Sequence, residues 1–319
     1  GAERVGVHQL RSTDDSTLLR AALQAGGRRV VVIGSGWIGL EVAAAARGYG
    51  NTVTVLGRGA VPLGRVLGEE AAEVFADLHR ENEVELWMHS DVTEILGDDH
   101  GVTGVRLATG EELSADLVVV GLGAIPNVLL AQVAGLDVAD GIRVDAAFQT
   151  SDAAVYAVGD VASVFHPVLG EHHRVDHWAN ANTAPAFAAR AMLGQTVCYD
   201  EIPYFFTDQF DLGMEYSGYP SLASTADLVL RGDRPGRSYV AFWLKDLRVV
   251  AGMNVNVWEV NDTVQQLIRS GVRVDPARLA DPAVPLAEIL AEAEAEAEAG
   301  AAPSRSVSTT AGSPRADSN

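Results

Sequence analysis

The spacing of hydrophobic and polar positions along the 319-residue chain changes several times, and each change marks an element. From Ser12 to Leu23 the period is helical. Leu18, Leu19, Ala22 and Leu23 follow a Ser12-Thr13-Asp14-Asp15 start with capping-box spacing, and Gly26-Gly27 ends the run. Residues 29–33 are short, apolar and β-branched, as in a parallel strand buried on both faces. A glycine-rich turn leads into a helix over residues 40–49, stopped by Gly50. Residues 52–56 predict a second buried strand, 69–82 a second helix and 85–88 a third strand. From 91 to 113 the pattern alternates, with turns at 98–101 and 109–110, which predicts an antiparallel excursion before a buried strand at 117–121.

The second half reads differently. Strands are expected at 141–145 and 155–158, the latter entering a sharp strand-to-helix turn at 158–162, and an alanine-rich helix at 180–193. Four alternating segments near 208–216, 226–231, 238–244 and 247–253 predict an antiparallel sheet, with Lys245-Asp246 joining the last two. A helix over 257–270 carries Gly271 as its C-terminal cap. Residues 291–319, an Ala/Glu repeat running into Ser, Thr, Ala and Pro, read as a disordered tail with helix-forming residues at its start.

Composition narrows the possibilities. With 48% hydrophobic residues the chain can bury a large core. A formal charge of −20 argues against general affinity for nucleic acid or anionic lipid. The single cysteine, Cys198, rules out an intramolecular disulfide, a Cys-x-x-Cys redox pair and a cysteine-rich zinc site, and favours the cytoplasm. No apolar run approaches the roughly 20 residues that span a bilayer. His166, His172, His173 and His177 lack the regular spacing of a metal site, so no metal is expected. The sequence opens Gly1-Ala2-Glu3 without Met, which reads as a processed or partial chain.

Two motifs carry chemistry. Gly34-Ser35-Gly36-Trp37-Ile38-Gly39 lies between a strand and a helix, the context of a dinucleotide-binding turn. Gly34 permits the turn, Gly36 lets the backbone approach a pyrophosphate, and Gly39 lets helix and strand pack closely. The helix start then offers free N–H groups to the phosphates. The second strand ends Val55-Leu56-Gly57-Arg58, with no carboxylate for a ribose diol. Arg58, helped by Arg65, is placed to pair with a 2′-phosphate, which favours NADP over NAD; Arg58 also reads as an ordinary solvated loop arginine. Glu41, expected on the first helical turn, reads either as compensation of the helix dipole or as a carboxylate near the nicotinamide. In the second motif, residues 150–160, a strand ends at Gly159 and Asp160 faces the next helix. That aspartate suits either a polyol hydroxyl or a helix N-cap.

Together with Gly121-Leu122-Gly123-Ala124-Ile125-Pro126-Asn127, Arg174-Val175-Asp176-His177-Trp178 and residues 203–209, these motifs resemble the two-dinucleotide flavoprotein reductases. Within them the chain is similar to the ferredoxin or rubredoxin reductases, a family that includes dioxygenase reductase components and apoptosis-inducing factors. The resemblance covers about residues 1–290. It implies an α/β fold: a Rossmann-like NAD(P)-binding domain (26–123), a partial FAD-binding domain (124–197) and a C-terminal α+β domain with an antiparallel sheet (198–290), preceded by a linker and helix from the FAD domain (1–25).

The resemblance also implies hydride transfer from NAD(P)H to FAD and single electrons to a ferredoxin- or rubredoxin-like protein, by a monomer or homodimer. Glu41 becomes the catalytic candidate beside the nicotinamide. Gly121 and Gly123 join the cofactor site, Gly159 and Asp160 hold the FAD ribityl chain, and Trp178 lines the flavin with residues 206–209. Departures concentrate there. The family often has an acid at Gly57, Trp-Ser at Phe206-Thr207, Glu at Asp176 and Gln-Gly near Ala184-Pro185. It opens with its own glycine turn for the ADP part of FAD and a lysine that pairs with the glutamate matching Glu41. Both are expected to be missing here, which leaves a non-catalytic NAD(P)-binding module as the alternative.

Overall fold

The computed structural model describes residues 1–301. In chain order the first part contains β1 (Val7–His8), α1 (Thr13–Leu23), β2 (Arg29–Ile33), α2 (Trp37–Gly48), β3 (Thr52–Leu56), α3 (Gly64–Leu67), α4 (Glu69–Glu81), β4 (Val84–Trp87), β5 (Val92–Asp98), β6 (Gly101–Leu107), β7 (Glu112–Ser114) and β8 (Leu117–Val120). The parallel sheet runs β1-β8-β2-β3-β4. After Arg29 the β2 strand is apolar because both of its faces are covered. Val30 and Val32 join the core under the helices, whereas Val31 and Ile33 pack against the antiparallel sheet β5-β6-β7. At the start of α1, Ser12 and Asp15 form both halves of the capping box.

Residues 1–25 do more than the sequence reading assigned them. Val7 and His8 pair with Val118 and Val119, so β1 is an edge strand of the nucleotide-binding sheet rather than a linker. Leu19 and Leu23 of α1 are buried in that sheet's core. Two residues are too short a run to show strand periodicity, which explains why pattern alone missed β1.

The second part contains α5 (Leu129–Val133), β9 (Val138–Ala139), β10 (Gly141–Val144), β11 (Ala162–His166), β12 (Glu171–His173) and α6 (Trp178–Met192). Its sheet runs β12-β11-β10-β9, with β10 and β11 parallel. The expected strand at 155–158 is absent, and only a single bridge joins Gln149 to Tyr156 there. The expected strand-to-helix turn is also different. Gly159 reverses the chain at φ +72°, and after one tight turn the backbone enters β11, where Val164 pairs with Val144. The helix that Asp160 packs against is α6, reached only after the β11–β12 hairpin.

The third part contains β13 (Tyr204–Gln209), β14 (Leu212–Gly218), α7 (Pro220–Ala223), β15 (Asp227–Asp233), β16 (Ser238–Lys245), β17 (Arg248–Val255), α8 (Asn261–Ser270), α9 (Pro276–Ala280) and α10 (Leu286–Ala301). The antiparallel sheet has five strands in the order β13-β14-β17-β16-β15. The segment at 208–216, expected as one strand, is a hairpin. Its corner carries Phe210 at φ +55°, without the glycine that would have marked it. Helix α8 begins later than expected because Glu259 sits at φ +63° and breaks the helical path. Where a disordered tail was expected from 291, α10 continues to Ala301 and buries Ile289, Leu290 and Ala293 against the sheet's second core. Residues 302–319, the rest of that expected tail, lie outside the described residues. No described helix is long and apolar enough to cross a membrane.

Candidate functional site

At the glycine turn, three backbone segments meet with no room for side chains. A Cβ on Gly34 would lie 2.2 Å from the Gly121 carbonyl oxygen, and one on Gly39 would lie 2.1 Å from the Gly34 carbonyl oxygen. Gly121 thus belongs to the crossing itself, its N–H donating to Ile33 at the end of β2. Gly36 differs. It caps α2 with no side-chain hydrogen bond, and a Cβ there would meet nothing within 4 Å. The first-turn N–H groups of α2 therefore face open space beside Gly36, the arrangement that holds a pyrophosphate. Ser35 accepts a backbone hydrogen bond from Leu63, which ties the loop carrying Arg65 to the turn. Ile38 is exposed at the mouth. The Trp37 side chain points elsewhere, into the seam between the two sheets, where its ring meets Phe75 at 5.6 Å and Phe205 at 5.1 Å.

Glu41 is not on the first turn of α2, which begins at Trp37 and has no acidic residue in that turn. Dipole compensation is therefore not its role. The carboxyl is half-buried, and its Oε1 accepts the Thr207 hydroxyl at 2.5 Å across the seam. Burial pushes the carboxyl above the usual carboxylate range, the Thr207 hydrogen bond pulls it back, and Asp208 pushes it up again. A cavity of about 240 Å3 between α1 and α2 is lined by Glu41, Arg20 and Tyr49.

At Gly57 a Cβ would lie 2.5 Å from Ser35 Oγ and 2.6 Å from the Met88 methyl, so a side chain there requires those two side chains to move aside. Arg58 is exposed and paired with Asp91 at 2.8 Å, and Arg65 is exposed on α3. Gly123, at φ +97°, has open space around it.

The remaining expected residues gather at a second place. Asp160 lies in the tight turn that begins at Gly159. Its carboxylate meets Arg11 at 3.4 Å, and its carbonyl accepts from Arg174. Trp178, 70% exposed, opens α6 with its ring edge towards Phe206. The cap of α6 is His177, whose Nδ1 accepts from the Ala179 N–H. Sequence reasoning passed over a neighbouring cavity of about 250 Å3, lined by His166, His173, Asn180, Tyr199, Glu201 and Gln265. It also passed over the buried row that leads away from Glu41 through Thr207 and Gln209 to His79. Thr207 and Gln209 lay inside a motif already singled out, but nothing in sequence linked them to His79, 130 residues away.

A parallel sheet with an open glycine turn, joined through a half-buried carboxylate to an antiparallel sheet, fits a dinucleotide-dependent oxidoreductase. Comparison with known proteins narrows the class. Residues 1–184 match the pyridine nucleotide-disulphide oxidoreductase family, and residues 204–290 match the reductase C-terminal family. The ferredoxin–NAD(+) reductase component of the anthranilate 1,2-dioxygenase system of Burkholderia cepacia is 42% identical over 287 residues, which are 90% of this chain and 70% of that one. A ferredoxin reductase from Rhodopseudomonas palustris superposes with a TM-score of 0.85 at 35% identity, over 90% of this chain and 70% of its own. The covalent putidaredoxin reductase–putidaredoxin complex also gives 0.85, at 33% identity over 91% and 69%. The chain belongs to the FAD-dependent NAD(P)H:ferredoxin reductase family. Despite the first family's name, its one cysteine, exposed Cys198, leaves no pair for dithiol chemistry within the chain.

Proposed function

We propose that this chain takes electrons from NAD(P)H and passes them through FAD to a ferredoxin-type iron–sulfur protein in the cytoplasm. One observation carries the reading: α2, which opens on the glycine turn, is joined through Glu41 to Thr207 of the reductase-type sheet. The backbone at Gly36 and the open N–H groups of α2 fit a dinucleotide pyrophosphate. Asp160, with 43% of its side chain exposed, fits a polyol hydroxyl, and Trp178, exposed at the start of α6, offers a ring for the flavin. Bound there, the flavin supplies two-electron acceptance and one-electron release.

The chain's own residues do the rest. The turn would hold the phosphates of the dinucleotide. Glu41, farther along α2, would offer negative charge to a nicotinamide that becomes positive on giving up hydride. On this reading residues 1–319 supply the ring and ribityl end of the flavin site.

The test is direct. Purified chain mixed with FAD and freed of excess ligand is expected to be yellow, and to reduce a ferredoxin-type protein at the expense of NADPH. A colourless chain that binds NADPH and reduces no acceptor even in excess FAD would support the non-catalytic alternative.

We further propose that NADPH is preferred. The ground is that the end of β3 runs into Gly57 and Arg58 with no ribose-binding acid, together with Arg65 beside the turn. Both members of the Arg58–Asp91 pair are exposed, so releasing Arg58 to a 2′-phosphate costs under about 1 kcal/mol. Arg58→Ala is expected to weaken NADPH about tenfold, the loss of one charge-assisted contact, and to leave NADH unchanged. The Burkholderia cepacia relative is named for NAD(+), so the ratio of the two dissociation constants decides the matter. NADH bound as well as NADPH, with no response to Arg58→Ala, would remove the argument.

A further inference from the structure

Four side chains stand in a row through the seam: Glu41 on α2, Thr207 and Gln209 on β13, and His79 on α4. Thr207 and Gln209 are about 2% and 1% exposed, and His79 is fully buried. Counting hydrogens fixes the direction of the row. The Thr207 hydroxyl has one hydrogen and accepts from Gln209 Nε2 at 3.1 Å, so its own hydrogen goes to Glu41 Oε1. The Gln209 Oε1 then accepts from His79 Nε2 at 2.9 Å. The other ring nitrogen, Nδ1, is buried with no partner among the described residues, so a second proton on that ring would find no acceptor among them. Burial accordingly holds His79 below its ordinary value, against the opposite pull of Gln209.

Every donor in the row therefore points towards Glu41, and hydrogen bonds aligned in one sense polarise one another. We propose that Thr207, Gln209 and His79 are positioning residues: a one-way donor chain by which the C-terminal sheet keeps Glu41 an oriented carboxylate at the nicotinamide end of the site. The proposal rests on the placement of Glu41 given under Proposed function.

Other groups facing Glu41 do not replace this chain. Asp208, next along β13, opposes ionisation of Glu41. Arg20 of α1 and Tyr49 after α2 line the same cavity as Glu41, and neither hydrogen-bonds to it. Besides its bond to Gln209, the His79 ring stands edge-on to the Phe210 ring at 5.2 Å.

The experiment follows the Glu41 carboxyl carbon by NMR in 13C-glutamate-labelled chain, with the signal assigned by its loss in Glu41→Gln. Thr207→Val keeps the shape and deletes the donor. Its expected effect is a rise of about one pH unit in the midpoint of the Glu41 titration, roughly tenfold in proton affinity. Thr207→Ser, which retains a hydroxyl, is expected to return the midpoint to the wild-type position. Gln209→Met is expected to move it in the same direction as Thr207→Val but less. A Glu41 midpoint unmoved in folded Thr207→Val, or left raised in Thr207→Ser, overturns the chain. NADPH affinity of Glu41→Gln separates the two ideas: an unchanged dissociation constant overturns the placement beside the nicotinamide, whatever the titrations show.

Discussion

Gly39→Ala is expected to destabilise the nucleotide-binding sheet by about 3 kcal/mol or more and to abolish NAD(P)H binding with it. The added methyl would lie 2.1 Å from the Gly34 carbonyl oxygen, a backbone atom that cannot rotate away as a side chain would. Relief requires α2 to lift off the end of β2. Gly34 cannot back away instead, because it is itself held against the Gly121 carbonyl at the end of β8. Lifting α2 would also pull Leu40, Ala43 and Ala46 out of the core. Urea unfolding measures the effect, and a loss below about 1 kcal/mol would mean the crossing is looser than these distances require.

Gly36→Asp is expected to do the reverse. Three positions away, the backbone has φ −86° and open space where the side chain would go. An aspartate at the cap of α2 supplies the missing acceptor for its N–H groups, so stability should stay level or rise by a few tenths of a kcal/mol. The same carboxylate occupies the anion site and carries the charge of the phosphate it displaces. NADPH affinity is expected to fall at least about 100-fold, near 2.7 kcal/mol. Fluorescence titration with NADPH beside a urea curve reads both numbers. Unimpaired binding would show that the phosphates do not lie at this helix start.

Together the two variants separate the glycines that build the turn from the one that faces the ligand. The distinction was only half legible in the sequence. The motif assigned roles to Gly34, Gly36 and Gly39 from their spacing, and local backbone geometry follows closely from such spacing. Gly121 belongs to a different motif, and only the fold reveals that its carbonyl closes the turn. The strongly periodic elements were equally legible, since β2 and β3 are rich in β-branched apolar residues and α4 repeats its apolar positions at helical spacing. Where backbone was bent by residues other than glycine, pattern failed. Phe210 and Glu259 adopt left-handed conformations that their types do not advertise, so a hairpin was read as a strand and α8 was started early. Glu41 was noticed as an odd residue and placed on the wrong turn. Its meaning depends on Thr207, 166 residues along the chain, and no local rule reaches that far.

That distance has a thermodynamic consequence. Glu41 draws its hydrogen-bond donor from another sheet, so the proton affinity of the carboxyl and the docking of β13 on α2 are reciprocal: each shifts the other by the same free energy. The sign follows from the direction of the shift. Burial raises the carboxyl in the folded chain above its unfolded value. The contribution of Glu41 to stability is therefore complete below the ordinary carboxylate range and is lost as pH rises through the raised value. The charge that the nucleotide site requires is thus held against the burial of the carboxyl, while the Thr207 hydrogen bond across the seam is strengthened by that same charge.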